Sequence, residues 1–190
     1  MDMSIYGDKL FTNRLALKRV QEDHLPEIVA WSQTEAACGE YLTPEGYNAE
    51  QMREQIRSGI FWNDLEKMFF VELKEDGRPI GTAHYWQPTG KQKTITLALK
   101  VAIPEERGKG YGTEIQKSLI TYIFDRLSMD SIEMYTDINN TAQQRCAKKL
   151  GFKLIESLVY EDQRERRTGH LFRLTSLQYK SHPIYQFHYE

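Results

Sequence analysis

From Lys100 to Gly112 the chain passes from an apolar strand end, Val101-Ala102-Ile103, through Pro104 into the turn Arg107-Gly108-Lys109-Gly110-Tyr111-Gly112. Behind it, Thr113 to Leu127 places Ile115, Leu119, Ile120, Ile123, Phe124 and Leu127 at the spacing of one buried helix face. A strand that runs into a helix through so short a turn needs a sheet with helices on its faces. The glycines at alternate positions can take backbone angles closed to other residues and put no side chain between the main chain and a ligand. Unpaired N–H groups and the helix dipole at the start of a helix favour negative charge. The turn therefore reads as a cradle for an anion, with its donors in the main chain.

Two familiar phosphate loops do not match. Gly-x-x-x-x-Gly-Lys-Ser/Thr occurs nowhere in the chain. A dinucleotide fingerprint needs a third glycine where Thr113 stands, and it should open a βαβ unit near a domain's start. What remains is Arg107-x-x-Gly110-x-Gly112 after a strand and a Val-x-x-Pro. A second piece follows: the strand pattern Ser131 to Asp137, then Asn140, a helical stretch from Gln143 to Leu150, and Lys149-Leu150-Gly151-Phe152. Asn140 is a good N-cap, Ala142, Cys146, Ala147 and Leu150 share a face, and Gly151 stands where a left-handed C-cap is expected.

The two motifs and their separation, covering Lys93 to Phe152, resemble the acetyl-coenzyme A region of the GCN5-related N-acetyltransferases (GNAT). Thr12 to Val20 also resembles the opening of the RimJ/RimL-like branch. The resemblance implies an α/β (α+β mixed) fold: a central mixed, mostly antiparallel twisted sheet of about seven strands flanked by about four helices. It implies acetyl-CoA as co-substrate and no metal. It places the coenzyme pyrophosphate on Arg107, Gly108, Lys109, Gly110, Tyr111, Gly112 and Thr113, with Asn140 also on the coenzyme. The thioester carbonyl falls to a backbone N–H of Val101 or Ala102, and the pantetheine arm to the gap beside the strand that ends at Asp137.

Proton transfer is where the chain departs from the family. Ala147 stands seven residues after Asn140, where many members carry an acidic tyrosine, and Gln143 stands where RimL-like relatives often use a serine. Tyr135, Cys146 or a water held by Asn140 remain as donors. Glu133, Tyr135 and Asp137 alternate along one strand, which points them to one face and makes them the catalytic candidates, with solvated strand-end charges as the plainer reading. His84 is read either as lining the acceptor pocket or as a structural histidine. The function expected is acetyl transfer to a primary amine, on a peptide or protein N-terminus or a small cationic molecule, in a ternary complex. The alternative is an acetyl-CoA-binding module with little or no turnover.

The rest of the chain sets bounds. With 190 residues, 40% hydrophobic and 27% charged, it fits a single domain over 1–190, closed by an aromatic extension, 178–190. A net charge of −2 gives no electrostatic reason for nucleic-acid binding. Cys38 and Cys146 match neither metal-ligand nor disulfide spacing, and no stretch has the length of a membrane span, so a cytoplasmic monomer or homodimer is expected. The expected order is β-α-α-β-β-β-α-β-α-β-β. Helices are predicted over Leu25–Ser32 and Ala49–Arg57, and strands over Thr12–Val20, Met68–Leu73, Ile80–Trp86, Lys93–Val101, Lys153–Tyr160 and His170–Thr175, the last two forming a closing hairpin. Charge is uneven: between Glu22 and Glu66 ten acidic residues face only Arg53 and Arg57, a net of −8. Since the family builds its acceptor wall from its first two helices, this segment predicts a cationic acceptor.

Overall fold

A computed structural model describes residues 8–161 and 166–186. The described residues form β1 (Lys9–Phe11), β2 (Leu15–Arg19), α1 (Leu25–Ser32), α2 (Glu35–Cys38), α3 (Ala49–Ser58), β3 (Glu66–Leu73), β4 (Pro79–Trp86) and β5 (Thr94–Val101). After these come α4 (Tyr111–Leu127), β6 (Ser131–Asp137), α5 (Thr141–Lys149), β7 (Lys153–Glu161), β8 (Arg166–Thr175) and α6 (Ser176–Ser181). The strand order is β1-β2-β3-β4-β5-β6-β8-β7, mostly antiparallel, with β5 and β6 running parallel. The mixed fold of sheet and helices expected from the sequence is the one observed, with more elements than foreseen: β1, the one-turn helix α2 and the short α6.

The chain forms two compact units, one drawn from residues up to Trp86 together with Leu99–Ser118, the other from Gln87–Ala98 and the residues from Leu119 onward. In the first unit, α1 and α3 pack on one face of β2 and β3. Leu25, Ile28 and Met52 meet Val20, Met68 and Phe70 in a buried cluster, and Trp31, Tyr47, Ile56 and Phe61 pack against it. Local signals fix the ends of α3. Asn48 Oδ1 accepts the N–H groups of Glu50 (3.0 Å) and Gln51 (3.1 Å), and Gly59 closes the helix at φ +79°. Asp76-Gly77 turns β3 into β4, with Asp76 Oδ1 accepting the Arg78 N–H at 3.0 Å.

Two expectations need correction. The strand expected over Thr12–Val20 begins only at Leu15, and β1 precedes it, because the Thr12 N–H donates to the Leu15 carbonyl at 2.9 Å and its hydroxyl accepts the Leu15 N–H at 2.9 Å, folding Thr12–Leu15 into a turn. The last strand starts earlier, at Arg166, and pairs with β7. With β7 it forms the closing hairpin that the sequence led one to expect, and the chain then continues. Thr175 and Gln178 form a reciprocal capping box that starts α6, and a 3-10 turn at Pro183–Tyr185 follows. In this second unit Tyr179 stacks on Phe124 at 4.8 Å and donates to Asp125 at 3.0 Å, while the Tyr185 hydroxyl donates to the Leu150 carbonyl at 2.8 Å. The extension thus packs on its own unit as far as it is described; Phe187 and Tyr189 lie outside the described residues. No helix among the described residues is long and apolar enough to cross a membrane.

One close approach limits β4. A Cβ at Gly81 would lie 1.9 Å from the Lys100 carbonyl oxygen. Gly81→Ala is expected to cost about 3 kcal/mol in urea unfolding, because backbone, not a movable side chain, must give way. An unchanged midpoint would show that the β4–β5 approach relaxes freely.

Candidate functional site

The turn between β5 and α4 begins with a 3-10 turn at Pro104–Glu106. Gly108 and Gly110 then adopt φ of +76° and +87°, so the path of the chain itself requires glycine at these two positions. Gly112 differs. It lies in the first turn of α4, and a Cβ there would meet the Leu99 Cδ1 at an ordinary 3.6 Å. The α4 ladder begins with the Glu114 N–H donating to the Gly110 carbonyl at 3.1 Å, so the N–H groups just ahead of it have no acceptor in the helix itself. Main-chain donors at the start of a 17-residue helix suit a pyrophosphate.

The side chains around this cradle are tied to the protein. Lys109 Nζ and Arg78 Nη1 each reach the buried Glu106 carboxylate at 2.9 Å, and these cations, Lys109 foremost, hold its pKa below the usual range. Arg14 comes from the β1–β2 turn. Its guanidinium lies 4.4 Å over the Tyr111 ring, donates to the Lys109 carbonyl at 3.0 Å and pairs with Glu114 at 2.7 Å. Burial pushes the Glu114 carboxyl up, but hydrogen bonds from Thr12 and Arg14 outweigh it and leave the group below its ordinary pKa. Arg14 was not among the residues singled out from the sequence, and its partner stands 100 positions away.

Arg107, expected on the phosphates, is used inward. Its guanidinium donates to the Val101 carbonyl at 2.9 Å and to the carbonyls of Ala36 and Ala37 at 2.7 Å each, and its own N–H goes to Pro104 at 3.1 Å. This caps α2 and fixes the end of β5. On β5 the Ala102 N–H donates to the Ile80 carbonyl at 2.8 Å. Successive N–H groups point to opposite edges of a strand, so that of Val101 faces the other way, beyond the Thr94–Thr96 stretch that pairs with β6. Lys100 Nζ is bound by both carboxylate oxygens of Glu45 at 2.6 Å and lies 3.6 Å from Cys38 Sγ. Burial raises the Cys38 thiol above its usual pKa against the pull of Lys100, which keeps it protonated.

In the second unit the strand trio divides. Glu133 is 1% exposed; its Oε2 accepts Lys91 at 2.7 Å and its Oε1 accepts Arg173. Burial pushes this carboxyl up, but Lys91 and then Arg173 outweigh it and hold the group ionised below the usual range. A carboxylate saturated by two cations is a weak proton acceptor. Asp137 is also buried, with one oxygen on the Asn139 N–H at 2.8 Å and the other 3.5 Å from Arg167. Tyr135, opposite Leu171 in the β6–β8 ladder, is half exposed. Asn140 caps α5 through Oδ1, which takes the Gln143 N–H at 3.0 Å, and Ala147 is wholly buried.

Comparison with known proteins decides the family. Residues 14–153 match the acetyltransferase (GNAT) domain. The chain belongs to the GNAT acetyltransferase family. It is 24% identical over 159 residues to α/β-tubulin N-acetyltransferase 9 of Drosophila melanogaster, covering 76% of this chain and 78% of that protein. Among solved structures, it is similar to a chimera of the Vibrio cholerae spermidine N-acetyltransferase SpeG with hSSAT (TM-score 0.75, 18% identity, 88% of this chain and 98% of that one). The acetyltransferase also matches RimL, a ribosomal-protein α-N-acetyltransferase in complex with coenzyme A (TM-score 0.75, 14% identity, 88% and 98%). The protein is thus an acyltransferase that acetylates amines, with acetyl-CoA as co-substrate, and the cradle's donor set suits that coenzyme.

Two variants separate binding from folding. Gly112→Ala is expected to leave the melting temperature unchanged yet weaken acetyl-CoA about tenfold by calorimetry, or ~1.4 kcal/mol; unchanged affinity would remove Gly112 from the cradle. Glu133→Gln is expected to cost about 2 kcal/mol at pH 7, since buried cation contacts are lost. The folded Glu133 pKa lies below its ordinary 4.5, so its contribution is present above that value and disappears as pH falls through the lower, folded one. The stability gap between wild type and variant should therefore close on acidification, and a gap constant with pH would contradict the clamp.

Proposed function

We propose that the protein transfers acetyl from acetyl-CoA to the primary amine of a cationic acceptor, by direct attack while both are bound. The coenzyme supplies the activated acyl group; the chain supplies position and charge. Main-chain N–H groups from Gly108 to Thr113 take the pyrophosphate, and the Val101 N–H takes the thioester carbonyl, its neighbour Ala102 being engaged by Ile80. A donor aimed in this way contributes about 3–4 kcal/mol to acyl transfer.

The charge of the α1–α3 segment is the observation that carries the cationic acceptor. Several of its carboxylates are paired, Glu22 with Arg53 and Arg57 and Glu50 with Arg53, but these pairs lie within the segment and are already counted in its net of −8. Lys100, bonded to Glu45, reaches in from outside and leaves −7. A field set by net charge survives such pairing. The relatives' names point to a protein N-terminus and to spermidine, and either one presents a cationic amine.

The test is a panel of spermidine, a basic N-terminal peptide and an acidic N-terminal peptide with acetyl-CoA, read by release of the coenzyme thiol. Spermidine or the basic peptide should be preferred, and its kcat/KM should fall as salt rises, because charges farther apart than about 8 Å are screened at physiological ionic strength. Preference for the acidic peptide would reject the cationic acceptor. Tight coenzyme binding with no thiol release from any amine would favour the binding module instead.

A further inference from the structure

His84 sits on β4 with its Nε2 3.0 Å from Oε1 of Glu66 on β3. The register pairs His84 with Met68 and Thr82 with Phe70, so the histidine shares the face that Met68 and Phe70 turn toward α1 and α3. Lys100 on β5 reaches Glu45 and Cys38 of the α2–α3 region, on that same side. Phe61 meets the imidazole edge-on at 6.1 Å and Trp86 tilts against it at 4.9 Å. The niche is aromatic but not sealed: the His84 and Glu66 side chains keep 27% and 26% of their surface.

A histidine kept only for packing usually has both ring nitrogens satisfied. Here the carboxylate takes one, and among the described residues Nδ1 has no partner. A carboxylate accepting from Nε2–H fixes the tautomer with the lone pair on Nδ1, the form that accepts a proton. Burial, the largest influence on the ring, lowers its pKa below 6.5 against the opposing hydrogen bond and charge of Glu66, so the ring is neutral at physiological pH. Glu66 is the charged group acting on it among the described residues; Phe61 and Trp86 are neutral.

Resting on the acetyl-transfer reading above, we infer that His84 is the general base for the incoming ammonium and that Glu66 is its positioning residue. Ile80, bonded to Ala102, lies four residues along β4 from His84, about 13 Å of strand. The imidazole stands off the sheet rather than along the strand, so ordered water carries the proton between the acceptor and the ring. The acceptor ammonium gives one proton through the water to Nδ1. The freed nitrogen lone pair forms the C–N bond as the C–S bond breaks, the sulfur leaves with the bonding pair, and the second proton of the nitrogen ends on that sulfur. The products are the acetamide, the free coenzyme thiol and a protonated His84 that returns its proton to solvent.

The experiment uses the full chain with saturating acetyl-CoA and either spermidine or a basic N-terminal peptide. His84→Gln, which keeps a donor toward Glu66, should lower kcat about 100-fold, leave acetyl-CoA affinity unchanged and abolish the acid limb of the pH–rate profile. In the wild type that limb should lie below pH 6.5, with activity rising as the ring loses its proton. Glu66→Gln should move the limb to lower pH, because it removes the interaction that raises the His84 pKa; a merely structural Glu66 would not move it. A folded His84→Gln with wild-type kcat and an intact limb overturns the proposal. Imidazole nitrogen NMR of the wild type decides independently of turnover. It should show Nε2–H with bare Nδ1 above pH 6.5, and a proton on Nδ1, or titration at or above 6.5, overturns it. Should no acceptor be acetylated, acetyl transfer itself fails, while the NMR still tells whether the ring is built as a base.

Discussion

The cradle is only as well defined as its upstream end, and that end is held by one guanidinium. Arg107 gathers the carbonyls of Val101, Ala36 and Ala37. Each would otherwise be an unsatisfied acceptor at a strand end or at the C-terminus of a one-turn helix, and charge-assisted bonds to such groups are roughly twice as strong as neutral ones. The planar fork sets directions as well as strength, which a lysine would not do. With the Val101 carbonyl fixed, the rigidity of the peptide plane orients the Ala102 N–H, which donates to the Ile80 carbonyl and ties this end of β5 to β4. The Arg107 side chain thus holds the main chain from which the cradle starts.

Much of this was legible beforehand because it is local. The glycine turn before an apolar helix face, Asn48 and Asn140 as caps, Gly151 as a left-handed C-cap at φ +86° and Asp76-Gly77 as a hairpin turn are each encoded within a few residues. The errors were local too. Alternation over Thr12 to Arg14 suggested strand, although the Thr12 side chain folds it into a turn, and Thr175-x-x-Gln178, a capping box present in the sequence, starts a helix that was not foreseen. Long-range pairings left no trace in the sequence. Arg14 with Glu114, Lys91 and Arg173 with Glu133, and Glu66 with His84 join residues 18 to 100 positions apart, and nothing in spacing says which carboxylate meets which cation.

Those pairings redistribute chemical roles. Alternation along β6 singled out Glu133, Tyr135 and Asp137 together, yet two of the three spend their carboxylates on internal partners. A titratable group is free for chemistry only if the fold has not already used it, and the difference between Glu133 and His84 lies there. Glu133 has both oxygens matched by cations, whereas His84 has one nitrogen matched and, among the described residues, one left over.

A cradle built from peptide N–H groups places few demands on side chains. Gly108 and Gly110 are constrained by φ, but Lys109, Tyr111 and Thr113 contribute backbone that nearly any residue supplies. Such a site can persist through extensive sequence drift while the acceptor-facing surface is rewritten around it. The chain shares only 14–18% of its residues with RimL and the SpeG chimera and still superimposes on them at a TM-score of 0.75, so the fold itself tolerates such drift. A socket of that kind, as proposed here for the coenzyme, leaves substitution free to act on the side chains around it.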